Sequence, residues 1–335
     1  MTTARSGLDA TALLEAVRRG DPLAIARAIT AIENRTSIGV ALGLAVQDLR
    51  GQCRTLGVTG PPGAGKSSLI NALISELLPR YRRIGVLTVD PSSPVSGGAV
   101  LGDRVRMAAH SANPNVFIRS LATRGHLGGV TRTTRAVIDL LAASGMDLVI
   151  VETVGTGQSE VEVAELTDVK IVVCAPGLGD EMQALKAGVL EIADLLVVNK
   201  SDLPDADRTA AHLKAMLHYG GHEERRRVLQ VSSVNRDGLP MLVDAIDVRF
   251  AAPLGRQPTV APRANNPRLT LADDVADLAA ALVRDGDDPR IDIIVRELSQ
   301  GAISRCDGAV AAIRVLAERD VLPSLNVAEG GGCEF

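Results

Sequence analysis

The sequence predicts an α/β fold, a mostly parallel sheet sandwiched by helices, with helical extensions at its amino and carboxyl ends. Two observations lead there. Short runs of Val, Ile and Leu recur with helical stretches between them, the rhythm of parallel strands joined by right-handed crossovers. The 335 residues are 46% hydrophobic yet hold two Tyr, three Phe and no Trp. Such an aliphatic core suits strands covered by helices on both faces better than an aromatic-rich sandwich.

The elements follow in order. "LLEAVRRG" ends at Gly20, and "DPLAIARAITAIEN" opens with Asp21 as a cap and Pro22 at the first helical position, so two short helices are expected before the sheet. "RTLGVTG" reads as a buried strand, followed by a glycine loop, the helix "KSSLINALISELL" and the strand "RRIGVLTVD". "PSSPVSGGAVLGD", rich in Pro, Ser and Gly, reads as a long functional loop that something else must order. A helical piece from Asp103, the strand "NVFIRS", the link "TRGHLGGV", the helix "TRTTRAVIDLLAASG" and the strand "MDLVIVE" come next. Further strands are expected at "VKIVVCA", "ADLLVVNK" and "RRVLQVSS".

Beyond Phe250 the character changes. The domain boundaries read from the sequence are a helical extension over 1–50, a nucleotide domain over 51–250, a proline-rich linker over 251–268, a helical region over 269–325 and a flexible tail over 326–335. "LTLADDVADLAAALVRDG", "DPRIDIIVRELSQG" and "CDGAVAAIRVLAER" are three amphipathic helices in that last region.

Charge and cysteines narrow the function class. A net charge of −4, with both signs mixed along the chain, argues against nucleic acid or an anionic membrane as the main partner. Cys53, Cys174, Cys306 and Cys333 are scattered without CxxC spacing, and residues 1–9 lack a basic-then-apolar leader. No apolar run reaches the ~18 residues a membrane span needs. A cytoplasmic protein is expected.

Gly60 to Ser67, "GPPGAGKS", matches the phosphate-binding pattern GxxxxGK[ST] between a buried strand and a helix. Gly60, Pro61, Pro62, Gly63, Ala64, Gly65, Lys66, Ser67 and Ser68 form the expected phosphate cradle. Its glycines let backbone N–H groups curl around phosphate oxygens, the helix start adds partial positive charge, and Lys66 supplies a point charge. "VVNKSD" then matches the NKxD guanine reader. Asp202 would accept from guanine N1–H and the 2-amino group, which adenine cannot offer, so the wrong base leaves buried acceptors unmet. Asn199 would bond the base edge, Lys200 would lay its stem across the ring, and Ser232 or Ser233 would offer a backbone N–H to the guanine oxygen.

Mg²⁺ is a hard, octahedral ion held by carboxylates, a hydroxyl, waters and phosphates. The candidate ligands are Ser67, Asp90, Asp103 and Glu152, at carboxyl ends of strands or in the loops above them, where open α/β sheets bind ligands. Taken alone, each of these carboxylates could instead be a helix cap or a solvated loop charge, Asp103 more readily than the other two. In "ETVGTGQSE", Gly155 can donate its N–H to a γ phosphate and release it after hydrolysis, while Gln158 either orients the attacking water or sits on the surface.

"GPPGAGKSSLI", "VDPSSPVSGGAVLGDRVRM", "TRGHLGGVTRTTR", "VETVGTGQSEVEV", "PGLGDEMQALKAG" and "VVNKSD", in this order, closely resemble the MeaB/ArgK (MMAA-like) family of GTPases, over about residues 8–250. The resemblance implies a P-loop GTPase that hydrolyses GTP to GDP and phosphate with Mg²⁺. It also implies a chaperone of an adenosylcobalamin-dependent acyl-CoA mutase, of methylmalonyl-CoA mutase type, that gates cofactor loading and protects or reactivates the mutase. Carried over position by position, Asp90, Asp103 and Glu152 match acidic residues around the metal and γ phosphate, and Asp180, Gln183 and Lys186 match a segment that passes nucleotide state to the mutase. Arg106 and Arg124 are candidate transition-state cations. The catalytic set is then Lys66, Asp103, Glu152 and Gln158. A homodimer is implied as well, although this chain has no Trp and a proline-rich link where the family carries tryptophans and a longer helical arm.

Three alternatives stand beside this reading, one of them a pure binding module that would retain GTP without turnover. A GTPase metallochaperone for a metalloenzyme would bring a His-rich or Cys-rich stretch, which the sequence does not show. A P-loop small-molecule kinase would need an acceptor pocket with its own base.

Overall fold

A computed structural model describes residues 10–47, 53–90, 110, 112–122, 129–153, 166–177, 193–219, 227–251, 272, 275–276, 279–284 and 288–318. The chain divides into two compact units, one of residues 1–34 and 42–257, the other of 35–41 and 258–335.

The first unit is built on a seven-stranded, wholly parallel sheet in the order β3-β2-β4-β1-β5-β6-β7. The strands are β1 (Arg54–Thr59), β2 (Ile84–Asp90), β3 (Val116–Ala122), β4 (Leu148–Thr153), β5 (Val169–Cys174), β6 (Leu195–Val198) and β7 (Arg227–Gln230). The expected α/β architecture is therefore the observed one. Its strands read as continuous apolar runs because both faces are covered: every residue of β4 and of β6 is buried.

Side-chain alternation assigns the two faces. Leu56 and Val58 of β1, Ile171 and Val173 of β5, and Leu195 and Val197 of β6 share one core with α4 (Lys66–Leu77) and with a later helix over Leu239–Ala251. Leu69, Ile70, Leu73 and Leu77 from α4 are all fully buried there. Each such side chain contributes about 1.5–3 kcal/mol on burial. On the other face, Val172, Cys174, Leu196 and Val198 pack against the helix over Ala206–Tyr219. There too, Leu141 of the helix over Gly129–Ala143 lies against Gly85 of β2. Burial pushes the Cys174 and Cys53 thiols up to about 12, so both pack as small apolar groups.

In chain order these helices are α5 (Gly129–Ala143), α6 (Ala206–Tyr219) and α7 (Leu239–Ala251), after α1 (Ala10–Arg18), α2 (Pro22–Glu33) and α3 (Ser37–Ala45). The cap expected at Asp21 is present: its side chain accepts from Leu23 N at 2.8 Å and Ala24 N at 3.4 Å. α2 packs on α5 and β3, and Arg119 of β3 donates to Glu33 Oε2 at 2.7 Å and Thr30 Oγ1 at 3.0 Å. Two local readings are corrected. α3 occupies residues for which no element is expected, and α5 begins at Gly129, inside the expected glycine-rich link.

In the second unit, α8 (Pro289–Ser299) and α9 (Arg305–Ala317) match two of the three expected carboxyl-terminal helices, and residues 279–284 are helical within the third. Its buried apolar cluster is small, namely Ile291, Ile294 and Ala312, with Val283, Leu298, Ile303, Ala311 and Val315 packed around it. The linker and tail expected after residue 251 lie outside the described residues, as does the helical piece over 103–109. Among the described residues no helix is long and apolar enough to cross a membrane.

Candidate nucleotide-binding site

The carboxyl edge of the sheet gathers the polar residues singled out in the sequence. β1 runs into the loop at Gly60 and the loop into α4 at Lys66. Gly60, Gly63 and Gly65 of this loop all take positive φ, and two of them show why glycine is needed. Gly60 has φ +143 and lies against the Val173 carbonyl, where a Cβ would clash, while Gly65 has φ +86 and ends the loop in a left-handed conformation. No side chain caps α4, so the N–H groups of its first turn face the loop, an arrangement suited to an anion.

Lys66 is buried at 8% exposure, and its Nζ donates to Gly60 O at 2.7 Å and Pro61 O at 3.1 Å. The ammonium is thus folded back over the cradle. Beside it, Ser67 Oγ donates to Glu152 Oε1 at 2.7 Å. Glu152 comes from the carboxyl end of β4, the strand paired directly with β1, and Val58 and Glu152 are register partners. Thr153 Oγ1 donates to Thr59 Oγ1 at 2.8 Å, tying the same two strand ends together. Two hard oxygen donors, a hydroxyl and a carboxylate, meet in a nearly water-free place beside the loop, and this chemistry fits Mg²⁺. Asp90 ends β2 next to β4, but its side chain lies outside the described residues.

The residues expected to read the base follow β6 and β7. Asn199 is 1% exposed. Its Nδ2 donates to Ala64 O at 3.1 Å and Gly65 O at 3.2 Å, and its Oδ1 accepts from Ser233 Oγ at 2.7 Å and Ser233 N at 3.2 Å. Lys200 takes a left-handed φ of +57, and its Cε lies 3.7 Å from where a Cβ on Gly65 would be, so its stem runs beside the phosphate loop. Asp202 is exposed, and the buried Ser232 hydroxyl donates to its Oδ1 while accepting from Asn235 N at 3.2 Å. A carboxylate held in this way has further lone pairs with which it can accept.

Of the predicted site residues, the structure brings together Gly60 through Ser68, Glu152, Asn199, Lys200, Asp202, Ser232 and Ser233 on one edge of the sheet. Asp103, Gly155 and Gln158 lie outside the described residues, as do Arg106, Arg124, Asp180, Gln183 and Lys186. Sequence reasoning missed Thr59 and Thr153, and it missed that the Asn199 amide is attached to the phosphate loop. The threonines flank motifs already quoted, so adjacency was the available signal. The Asn199 contact joins residues 135 apart, and no local pattern announces it.

This sheet, its glycine loop and the polar edge around it define a P-loop GTPase fold. A family model described as methylmalonyl-CoA-mutase-associated GTPase MeaB matches residues 25–277, and the chain belongs to that family. A putative GTPase of Pyrococcus horikoshii is 48% identical over 205 residues, 61% of this chain, which spans 65% of that relative's length. GTPase ArgK of Escherichia coli is 40% identical over 248 residues, 70% of this chain and 75% of that protein. The mitochondrial methylmalonic aciduria type A homolog of Mus musculus is 40% identical over 210 residues, 60% of this chain and 51% of that protein. The crystal structure of a LAO/AO transport system kinase shares the fold, with TM-score 0.59 and 24% identity over 95% of this chain and 99% of that one.

Proposed function

We propose that the chain is a Mg²⁺-dependent GTPase, converting GTP to GDP and phosphate, that serves as a chaperone of an adenosylcobalamin-dependent acyl-CoA mutase of methylmalonyl-CoA mutase type. In this role it gates cofactor loading and protects or reactivates the mutase. The observation that carries the reading is the single edge on which Lys66, the Ser67–Glu152 pair and the Asn199–Asp202–Ser232 group converge. Membership of a family named for its association with that mutase, and a relative named for methylmalonic aciduria, support the partner.

In this proposal the backbone N–H groups of the loop and of the first turn of α4 bind the phosphates, and Lys66 moves from the Gly60 and Pro61 carbonyls toward the β and γ oxygens. Asp202 reads guanine from its N1 edge, oriented by Ser232, and Lys200 covers the ring. Ser67 and Glu152 would hold Mg²⁺, with Asp90 and Asp103 as further candidates; bound there, the ion neutralises charge on the phosphate oxygens. Gly155 and Gln158 stand as the γ-phosphate contact and water-orienting group, and Asp180, Gln183 and Lys186 as the segment read by the mutase. A homodimer and a cytoplasmic location belong to the same proposal.

Steady-state GTP hydrolysis by the purified chain with Mg²⁺, measured alone and with a cobalamin-dependent acyl-CoA mutase, tests both halves. Turnover that rises with the mutase is expected. An absence of turnover in both conditions overturns the hydrolase, and equal rates overturn partner control.

A further inference from the structure

We infer that the Ser233 hydroxyl is a positioning group for the phosphate loop, acting through the Asn199 carboxamide, so that base reader and phosphate cradle are set by one hydrogen-bonded unit. The inference rests on reading this edge as a guanine-nucleotide site.

Asn199 is the hinge of the argument because its carboxamide is both buried and fully used. A carboxamide has two N–H donors and one oxygen with two lone pairs. Both donors go to carbonyls of the phosphate loop, Ala64 O at 3.1 Å and Gly65 O at 3.2 Å. Both lone pairs go to one residue, Ser233, whose Oγ donates at 2.7 Å and whose N donates at 3.2 Å. The backbone N–H of Asn199 donates to Cys174 O at 2.8 Å, which fixes where the side chain starts. Turning the amide by 180° would aim its oxygen at two carbonyls and an N–H at the Ser233 N–H, in a place water barely reaches; only the Ser233 hydroxyl, which can also accept, would keep a partner. Unmet buried polar groups cost about 1–3 kcal/mol each, so one orientation is strongly preferred.

The carboxamide also bears on the loop sterically. A Cβ on Gly65 would stand 2.5 Å from Asn199 Nδ2, so the amide rests directly on the residue that turns the loop into α4. Gly65 immediately precedes Lys66 and Ser67. A change in the aim of the amide therefore moves the carbonyls of Ala64 and Gly65, and with them the peptide planes whose N–H groups face the phosphates.

Of the two donors that hold the oxygen end, the Ser233 hydroxyl is the closer. Without it the oxygen end is held by the longer N–H contact alone. The hydroxyl thus acts on the phosphates through the loop, while the base is read by Asp202 on the other side of the turn.

The test is calorimetric titration of the full-length wild type, Ser233→Ala and Ser233→Thr with Mg²⁺-free GDP and with inorganic tripolyphosphate, which carries no base. Ser233→Ala should weaken both probes by the same factor, about 5- to 10-fold, the worth of one hydrogen bond. Ser233→Thr, which keeps the hydroxyl, should bind both within about twofold of wild type, and Ser233→Cys, a weaker donor, should fall between. Should Ser233→Ala fold poorly, the Ser, Cys and Thr series carries the comparison. Loss confined to GDP, with tripolyphosphate unaffected, would mean a direct base contact and overturn the inference. So would unchanged affinity for both probes. Wild type that binds tripolyphosphate but not GDP would instead overturn the guanine-nucleotide reading beneath it.

Discussion

The two edges of the one parallel sheet use polar side chains in opposite ways. At the amino edge, charges stay near water and fasten elements together. Arg80 pairs with Asp244 and Asp247 of α7, Tyr81 OH donates to Asp247 Oδ1 and accepts from Arg54 Nη1, both at 2.9 Å, and the Arg54 guanidinium lies 5.2 Å from the Phe250 ring centroid. At the carboxyl edge, Thr59, Lys66, Ser67, Glu152, Asn199 and Ser232 are all buried. Burying such groups is costly, and a fold that only needed to hold together would do as well with apolar side chains there. The difference teaches where each kind of substitution should be felt: changes at the amino edge should register in stability, and changes at the carboxyl edge in ligand binding.

The sharpest way to break this contrast is Lys66→Ala. It removes the buried cation of the cradle, and GTP and GDP affinity should fall by about 100-fold or more. Titration calorimetry reads it; an affinity within threefold of wild type would make the carboxyl edge structural. Next comes Asp202→Asn, which leaves the guanine N1–H and amino group facing a donor. GTP should weaken by about 10- to 100-fold while xanthosine triphosphate gains. Competition between the two nucleotides checks it, and unchanged preference removes Asp202 from base reading. A smaller effect is expected for Glu152→Gln. The amide oxygen can still accept from Ser67, but the charge is gone, so the Mg²⁺ concentration for half-maximal turnover should rise about tenfold. GDP binding in EDTA should stay as in wild type.

What the sequence made legible has a physical pattern. The strands, the glycine loop and the Asp21 cap are local in chain terms: each is set by residues a few positions apart, and each appears where the letters put it. The placement of Glu152 was readable too, because "DLVIVE" ends in a charge and a parallel strand carries its last residue to the ligand edge. α3 was not readable. "SIGVALGLA" is apolar almost throughout, with two internal glycines, so it shows no period that separates helix from buried strand. Gly129 and Gly128 read as loop, yet Gly129 begins α5. The Asn199 amide and the Ser233 hydroxyl escaped for a third reason. Their partners come from another strand end, and the sheet order that makes them neighbours is decided by packing over the whole unit.

The mildest probe tests the other side of the contrast. Tyr81→Phe keeps the ring, which is 7% exposed as a residue, and deletes only the hydroxyl that joins Arg54 to Asp247. One hydrogen-bonded hydroxyl in a partly wet setting contributes about 1 kcal/mol, so Tm should drop by about 2–4 °C. GDP affinity should not move, since the substitution sits at the opposite end of β1 from the phosphate loop. Thermal melts with and without GDP read both quantities at once. If the GDP-dependent rise in Tm shrinks in step with the apo Tm, the two edges are energetically coupled and the division between fastening and binding fails. If it is preserved while the apo Tm falls, the sheet carries its two polar ends as separable devices.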